Sequence, residues 1–310
     1  MTQVSAEHVK ELREKTGAGI LDCRKALTET SGNMENAVDW LRKKGLSAAA
    51  KKSGRVAAEG LIAVAVEGPK GAIIELNSET DFVAKNDQFQ KLAASIAEFA
   101  VHQNIGDVEK LKDAKCPKTG KSISEQVTGA IATIGENITL RRSAALSVNK
   151  GVVASYVHSA AAPGLGKIGV LVALESEADA GKLEALGKQI AMHIAAARPD
   201  ATRKEEVSTQ MLDRERDVYR EQAKASGKPA DVIEKMIEGR IRKYYEEVVL
   251  LEQLFVVDGK SKVSDVVAAA AKEAGKPIEV KGFIRLQVGE GIEKKEDDFA
   301  AEVAKVAGAK

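Results

Sequence analysis

One pattern in this chain is written twice, and it limits the possible folds more than any other feature. "KGAIIELNSETD" at 70–81 and "KIGVLVALESEAD" at 167–179 share their apolar alternation and their acidic ending. Each is followed by helix-period text, "FQKLAASIAEF" at 89–99 and "LEALGKQIAMHI" at 183–194. Period 2 giving way to period 3.6 marks a strand that turns into a helix. Each copy also has an earlier strand. "LIAVAVEG" at 61–68 reaches "AIIELNS" through a "PKG" turn, and "GVVASYVHS" at 151–159 reaches "IGVLVALES" through "AAAPGLGK". Both pairs read as hairpins. "NITLRRSAALSV" at 137–148 and "EVKGFIRLQVG" at 279–289 supply a further strand to each copy. A single duplication is not a solenoid, which needs three or more repeats. The predicted class is α+β, with a duplicated core built on antiparallel sheets. Its first subdomain spans 56–150, and its second spans 151–201 together with 251–285.

The other segments read as helices around this core. Residues 1–55 predict a three-helix domain. Ser5 caps a first helix through Val9 and Leu12, a second carries Leu21, Cys23, Ala26 and Leu27, and a third opens at Asn33 and stops at Gly45. "LSAAAKKSGRVAAEG" then reads as a linker with some helical character. Residues 104–121 read as irregular and 122–134 as helix. The second copy is interrupted at 202–250 by charged helical text with a central "SGKP" break, which predicts an antiparallel helical hairpin. Val207, Met211, Val218 and Tyr219 line one arm; Val232, Ile233, Met236, Ile237, Ile241, Tyr244 and Tyr245 line the other. Two helices cannot cover both sides of such a stripe, so the arm is expected to lean on its own domain, a second copy or another protein. Residues 286–310 predict a C-terminal module ending in a short amphipathic helix.

Composition and motifs exclude much. Among the 310 residues the formal net charge is +1, which gives no pull toward nucleic acid or an acidic membrane surface. The two cysteines, Cys23 and Cys116, lie far apart and fit a reducing compartment. The charged N-terminus has no apolar stretch of a signal peptide, and no apolar run approaches the roughly 20 residues of a membrane span. A cytoplasmic location is expected. "CPKTGKS" at 116–122 lacks the earlier glycine of a phosphate loop, with Lys115 in its place, and reads as a solvated turn. "GLGK" at 164–167 is followed by Ile168 rather than a hydroxyl. His8, His102, His158 and His193 are scattered without metal-ligand spacing. Cys23 reads as core. No nucleophile–base set is discernible, so neither an enzyme nor a cofactor is expected.

"NSETDFVAKND" at 77–87 places a bulky apolar residue on the strand-to-helix corner of the first copy. Two readings stand. Phe82 is the first core residue of the following helix, or Phe82 and Val83 project outward as an anchor with Asp81 and Lys85 as polar neighbours. The matching corner of the second copy, "ESEAD", has no aromatic, which favours the outward reading.

Five stretches in order along the chain resemble bacterial translation elongation factor Ts. They are "VKELREKTGAGILDCRKAL" at 9–27, "ETDFVAKND" at 79–87, "IGENITLRR" at 134–142, "QIAMHIAA" at 189–196 and "GFIRLQVGEGIEKKEDDFAAEV" at 282–303. The resemblance implies a small ubiquitin-associated-like domain, a duplicated α+β core, a protruding hairpin and a C-terminal module. It implies a nucleotide exchange factor that meets elongation factor Tu both GDP-bound and nucleotide-free. Carried over, Thr80, Asp81, Phe82 and Val83 intrude beside the nucleotide's magnesium ion. Arg13, Ile20 and Leu21 dock on the GTPase, as do His158 and the stretch of Phe255, Val256 and Val257. This sequence departs from the family after His158, where the turn is lengthened to "SAAAPGLGK". The hairpin is expected to serve homodimerisation within a heterotetramer, or partner contact. A non-catalytic adaptor without exchange activity is the alternative reading.

Overall fold

The two copies form two antiparallel sheets that pack face to face, each carrying helices on its outer side. A computed structural model describes residues 4–16, 18–224 and 229–293. Its elements in chain order are α1 (Ala6–Thr16), α2 (Ile20–Glu29), α3 (Met34–Lys52), β1 (Glu59–Glu67), β2 (Lys70–Ser78), α4 (Asp81–Ala84), α5 (Asp87–Gln103), α6 (Val108–Asp113), α7 (Ile123–Ile134) and β3 (Thr139–Ser147). The second copy follows with β4 (Gly151–His158), β5 (Leu165–Gly166), β6 (Ile168–Glu175), α8 (Ala180–Ala197), α9 (Thr209–Lys224), α10 (Ala230–Val248), α11 (Val263–Ala274) and β7 (Glu279–Gln287). One sheet has the order β3-β2-β1-β5, the other β4-β6-β7.

Alternation along the strands explains the layering. Leu61, Ala63, Ala72, Ile74 and Leu76 face a core shared with Phe89 and Ile96 of α5 and Ile131 of α7. The intervening Ile62 and Ile73 face Val153, Leu171 and Ala173 of the other sheet. Val170, Val172 and Leu174 turn the opposite way, onto Leu183, Ile190 and Ile194 of α8 and Val267 of α11. Both faces of each central strand are therefore covered, which is why these strands read as near-continuous apolar text. The sheets approach closely where side chains are missing. A Cβ on Gly169 would meet Ile62 Cγ2 at 2.5 Å, and one on Gly71 would meet Val153 Cγ1 at 2.6 Å.

Several expectations are corrected. α3 does not stop at Gly45 but runs on to Lys52, absorbing the first half of the expected linker. Gly45 lies inside α3 and faces α7, where a Cβ added to it would stand 3.5 Å from Ala132 Cβ, so it is a helix-contact position rather than a terminator. The irregular segment at 104–121 contains α6, capped by Asp107, whose side chain accepts from Lys110 N–H. The segment 251–285 contains α11, the counterpart of α7, so the duplication is more complete than the text suggests. The loop after His158 carries a short strand. Its β5 pairs with Ile62 and Ala63 and covers the edge of β1.

α9 and α10 form the expected helical hairpin, with Leu212, Ile237 and Ile241 buried together. Val207 belongs to the base of the arm, not to α9. Met211, Val218 and Val232 remain exposed. Ser226, Gly227 and Lys228 of the break, and the helix expected near the C-terminus, lie outside the described residues. Among the described residues no helix is long and apolar enough to cross a membrane.

A buried carboxylate ties the two copies together. Glu75 on β2 has no exposed side-chain surface; it pairs with Arg141 at 3.1 Å and with Arg142, both on β3. It also accepts from Gly289 N–H at 2.8 Å, just past β7. Arg142 Nη2 in turn donates to Gln287 O at 2.7 Å. Removing one partner of such a group leaves the others buried without their counter-charge. Glu75→Ala is expected to lower unfolding stability by about 3 kcal/mol, the low end for a buried pair because both arginines retain some water contact. Urea unfolding followed by circular dichroism reads the loss.

Candidate functional site

Among the described residues, the strand-to-helix corner of the first copy holds the most exposed aromatic side chain. β2 ends at Ser78, whose hydroxyl donates to Thr80 O at 3.0 Å. Thr80 is extended (φ −120°, ψ 159°) and precedes the single turn of α4. In one turn successive residues rotate by about 100°, so neighbours face different ways. Val83 and Ala84 point into the core beside Phe89. Phe82 points out, with 76% of its surface exposed. The outward reading therefore holds for Phe82 and is corrected for Val83, which is buried and anchors the turn. Phe89 takes the core position that the other reading gave to Phe82. Asn86 starts α5, accepting from Gln88 and Phe89 N–H at 2.9 and 3.2 Å. Lys85 pairs with Asp81 at 3.3 Å and stands 5.7 Å from the Phe82 ring centroid.

The corner is braced from outside. The Glu136 carboxylate, between α7 and β3, accepts from Thr80 N–H at 3.0 Å and from Thr80 Oγ1 at 2.6 Å. Asn137 N–H donates to Glu79 Oε1 at 2.6 Å, and its side-chain amide donates to Arg55 O at 2.7 Å. Arg55 closes the set on Glu79 at 3.4 Å. Sequence reasoning quoted the stretch containing Glu136 and Asn137 but missed this role. The available signal was an acidic residue directly after the helix-stopping Gly135.

The other predicted residues fall on separate parts of the surface. Arg13 is exposed on α1, while Ile20 and Leu21 open α2, Leu21 with 81% exposure. Cys23, Ala26 and Leu27 on the same helix form the small core, as expected for Cys23, and burial raises the thiol's pKa. His158 is exposed at the end of β4, its Nδ1 3.1 Å from Tyr156 Oη. Phe255 is instead buried, its ring 5.7 Å from that of His193. The exposed apolar side chains of that stretch are Val256 and Val257, joined by Leu254, which sequence reasoning overlooked. The exposed apolar side chains among the predicted residues thus fall on three parts of the chain rather than in one pocket. Of the discarded motifs, 116–122 is a turn in which Cys116 N–H donates to Lys121 O at 2.9 Å. Its Ser122 hydroxyl is engaged in the capping box of α7 with Glu125. Among the described residues no group of three or more His, Cys, Asp or Glu could hold a metal ion.

The fold and site define an α+β chain that displays apolar side chains on short, braced turns. A family model described as Elongation factor TS matches residues 79–290. The elongation factor Ts of Rhodospirillum centenum is 61% identical over 308 residues, covering 99% of this chain and 100% of the relative. That of Paramagnetospirillum magneticum is also 61% identical over 308 residues (99% and 98%). That of Rhodospirillum rubrum is 60% identical over 305 residues (98% of each). The chain belongs to the elongation factor Ts family, a family of translation elongation factors.

The loop bearing Val256 and Val257 depends on a neutral imidazole. Val256 N–H donates to His193 Nδ1 at 3.2 Å, so Nδ1 carries the lone pair. Nε2 carries the proton and faces Gln253 Oε1 at 2.8 Å. Burial holds this histidine's pKa below its usual value, against an opposing contribution from Gln253. With the folded pKa depressed, the unfolded chain takes up the proton first as pH falls. Stability from this site is therefore full above about pH 6.5 and declines below it. Thermal unfolding between pH 7 and pH 5 is expected to show this decline, with a shallower slope in His193→Gln.

Proposed function

We propose that this chain is a guanine nucleotide exchange factor for elongation factor Tu, acting in the cytoplasm and without catalytic chemistry of its own. The observation that carries the reading is the outward Phe82 on a corner fixed at both ends. An aromatic held out in water loses hydrophobic stabilisation unless it is covered on binding. Aromatic anchors of this kind dominate the energetics of many interfaces. Thr80, Asp81 and Phe82, with Val83 as their buried foot, meet the GTPase near its magnesium site. Magnesium requires near-ideal octahedral geometry at short distances, so a wedge that shifts the elements holding its ligands loosens both ion and nucleotide. Linkage makes the effect reciprocal: the factor weakens GDP binding by the ratio in which GDP weakens the factor's binding. The exposed Ile20 and Leu21 on α2, with the exposed Arg13 on α1, support a second docking contact from the N-terminal helices. His158, Val256 and Val257 support a third from the second copy, with Phe255 holding that loop from beneath.

Phe82→Ala alters no core contact, so the fold is expected to persist while GDP release slows. Losing an anchor of about 2 kcal/mol corresponds to a drop in release rate of roughly thirtyfold. Stopped-flow release of a fluorescent GDP from elongation factor Tu measures it, and release at the unmutated rate would remove the wedge. The exposed Met211, Val218 and Val232 support a role for the hairpin in pairing two copies. Met211→Glu combined with Val218→Glu is expected to shift sedimentation toward the monomer; an unchanged profile would contradict the pairing.

A further inference from the structure

We infer that Glu136 is a positioning residue for the Phe82 tip, acting through Thr80; the inference rests on the exchange reading above. Packing alone does not aim Phe82. The ring stands in solvent beside the flexible ammonium of Lys85, so the direction of the tip is set by the backbone of its turn. Val83 and Ala84 fix the far end of that turn in the core. The near end is Thr80, and there the usual local device is absent. A threonine before a helix ordinarily accepts from a backbone N–H of the first turn, but the Thr80 side chain makes no such bond. Its hydroxyl and its own N–H both go to one carboxylate, that of Glu136. Hydrogen bonds to an ionised acceptor are the stronger kind, and two from one residue fix orientation as well as distance.

The duplicated fold supplies an internal control. Aligning "SETDF" at 78–82 with "SEADA" at 176–180 sets Thr80 against Ala178 and Phe82 against Ala180. The loop after each matching helix sets Gly135, Glu136 and Asn137 against Gly275, Lys276 and Pro277, with both glycines left-handed (φ 91° and 64°). The copy without the aromatic thus lacks the hydroxyl and has the opposite charge in place of the acceptor. There Ala178 N–H donates to Ser176 Oγ at 3.0 Å, and that hydroxyl donates to Pro277 O at 2.7 Å. Lys276 turns to Glu177 at 3.6 Å. Both corners close, so closing the strand-to-helix turn does not require a Glu–Thr brace. The brace occurs where there is a tip to aim.

The test uses the full chain and stopped-flow release of fluorescent GDP from elongation factor Tu. Glu136→Ala is expected to slow release roughly tenfold, the scale of one lost hydrogen bond to a charged group. Glu136→Gln, which keeps an acceptor for Thr80 N–H, is expected to recover most of the rate. On a Phe82→Ala background, Glu136→Ala is expected to cost less than about twofold, because groups acting through one another are non-additive. Where Phe82→Ala itself slows release, an equal fold-loss on both backgrounds, or an unmutated rate for Glu136→Ala, would overturn the proposal. Amide hydrogen exchange over 79–84 gives a readout independent of exchange activity. Glu136→Ala should speed exchange there while leaving α5 unchanged, and unchanged exchange at the corner would also overturn the proposal. If Phe82→Ala alone releases GDP at the full rate while the corner loosens in Glu136→Ala, the wedge reading fails and the brace stands.

Discussion

The contact between the two sheets is what the rest of the molecule depends on. Ile62 and Ile73 on one side, with Val153 and Leu171 on the other, form an apolar layer that neither copy could bury alone. Gly71 and Gly169 let the layer close, since a methyl group at either would collide with the opposite sheet. The edges are closed by specific devices: β5 crosses from the second copy to pair with β1, and Glu75 gathers Arg141, Arg142 and Gly289 into one buried set. Such a close-packed interior has low compressibility and holds its surface turns in place. That rigidity suits a protein whose proposed work is to press one side chain against a partner.

On this scaffold the two copies have diverged at the same corner. One sends its chain directly from strand to helix, with Asp179 capping α8 through Lys182 N–H. The other inserts α4 between β2 and α5, which gives the chain a step on which Phe82 stands clear of the core. The same residues explain why the step does not relax: Val83 and Ala84 are sunk beneath it, and Thr80 is held from the side. Lys85 and Asp81 add an exposed ion pair whose contribution to stability is small.

Much of the strand framework was legible because both faces of β1, β2 and β6 are buried, which leaves long apolar runs in the text. The duplication could be read for the same reason. α11 was not legible: its apolar residues, including Val263 and Val267, sit in an alanine-rich stretch where helix period and plain small-residue composition look alike. Gly45 misled because a glycine that ends a helix and one that lies within a continuing helix are written identically. At the corner, the sequence left the direction of Phe82 open, and period alone could not have closed it. A one-turn helix is too short to show a period, and Val83 is as apolar as its outward neighbour. Phe255 was similarly ambiguous beside Val256 and Val257, because only the ring of His193 distinguishes inward from outward. Glu136 was invisible for another reason: its partner Thr80 is distant in the chain, and no local rule connects them.

The central claim is that this chain loosens a nucleotide by disturbing the ion that clamps it. The most direct measurement is the acceleration of GDP release from elongation factor Tu by the unmodified chain, taken once with magnesium saturating and once with the ion chelated. If the tip works through the clamp, much of its effect is already achieved when the ion is gone, and the acceleration should shrink by roughly tenfold or more. The same acceleration with and without magnesium would contradict the account.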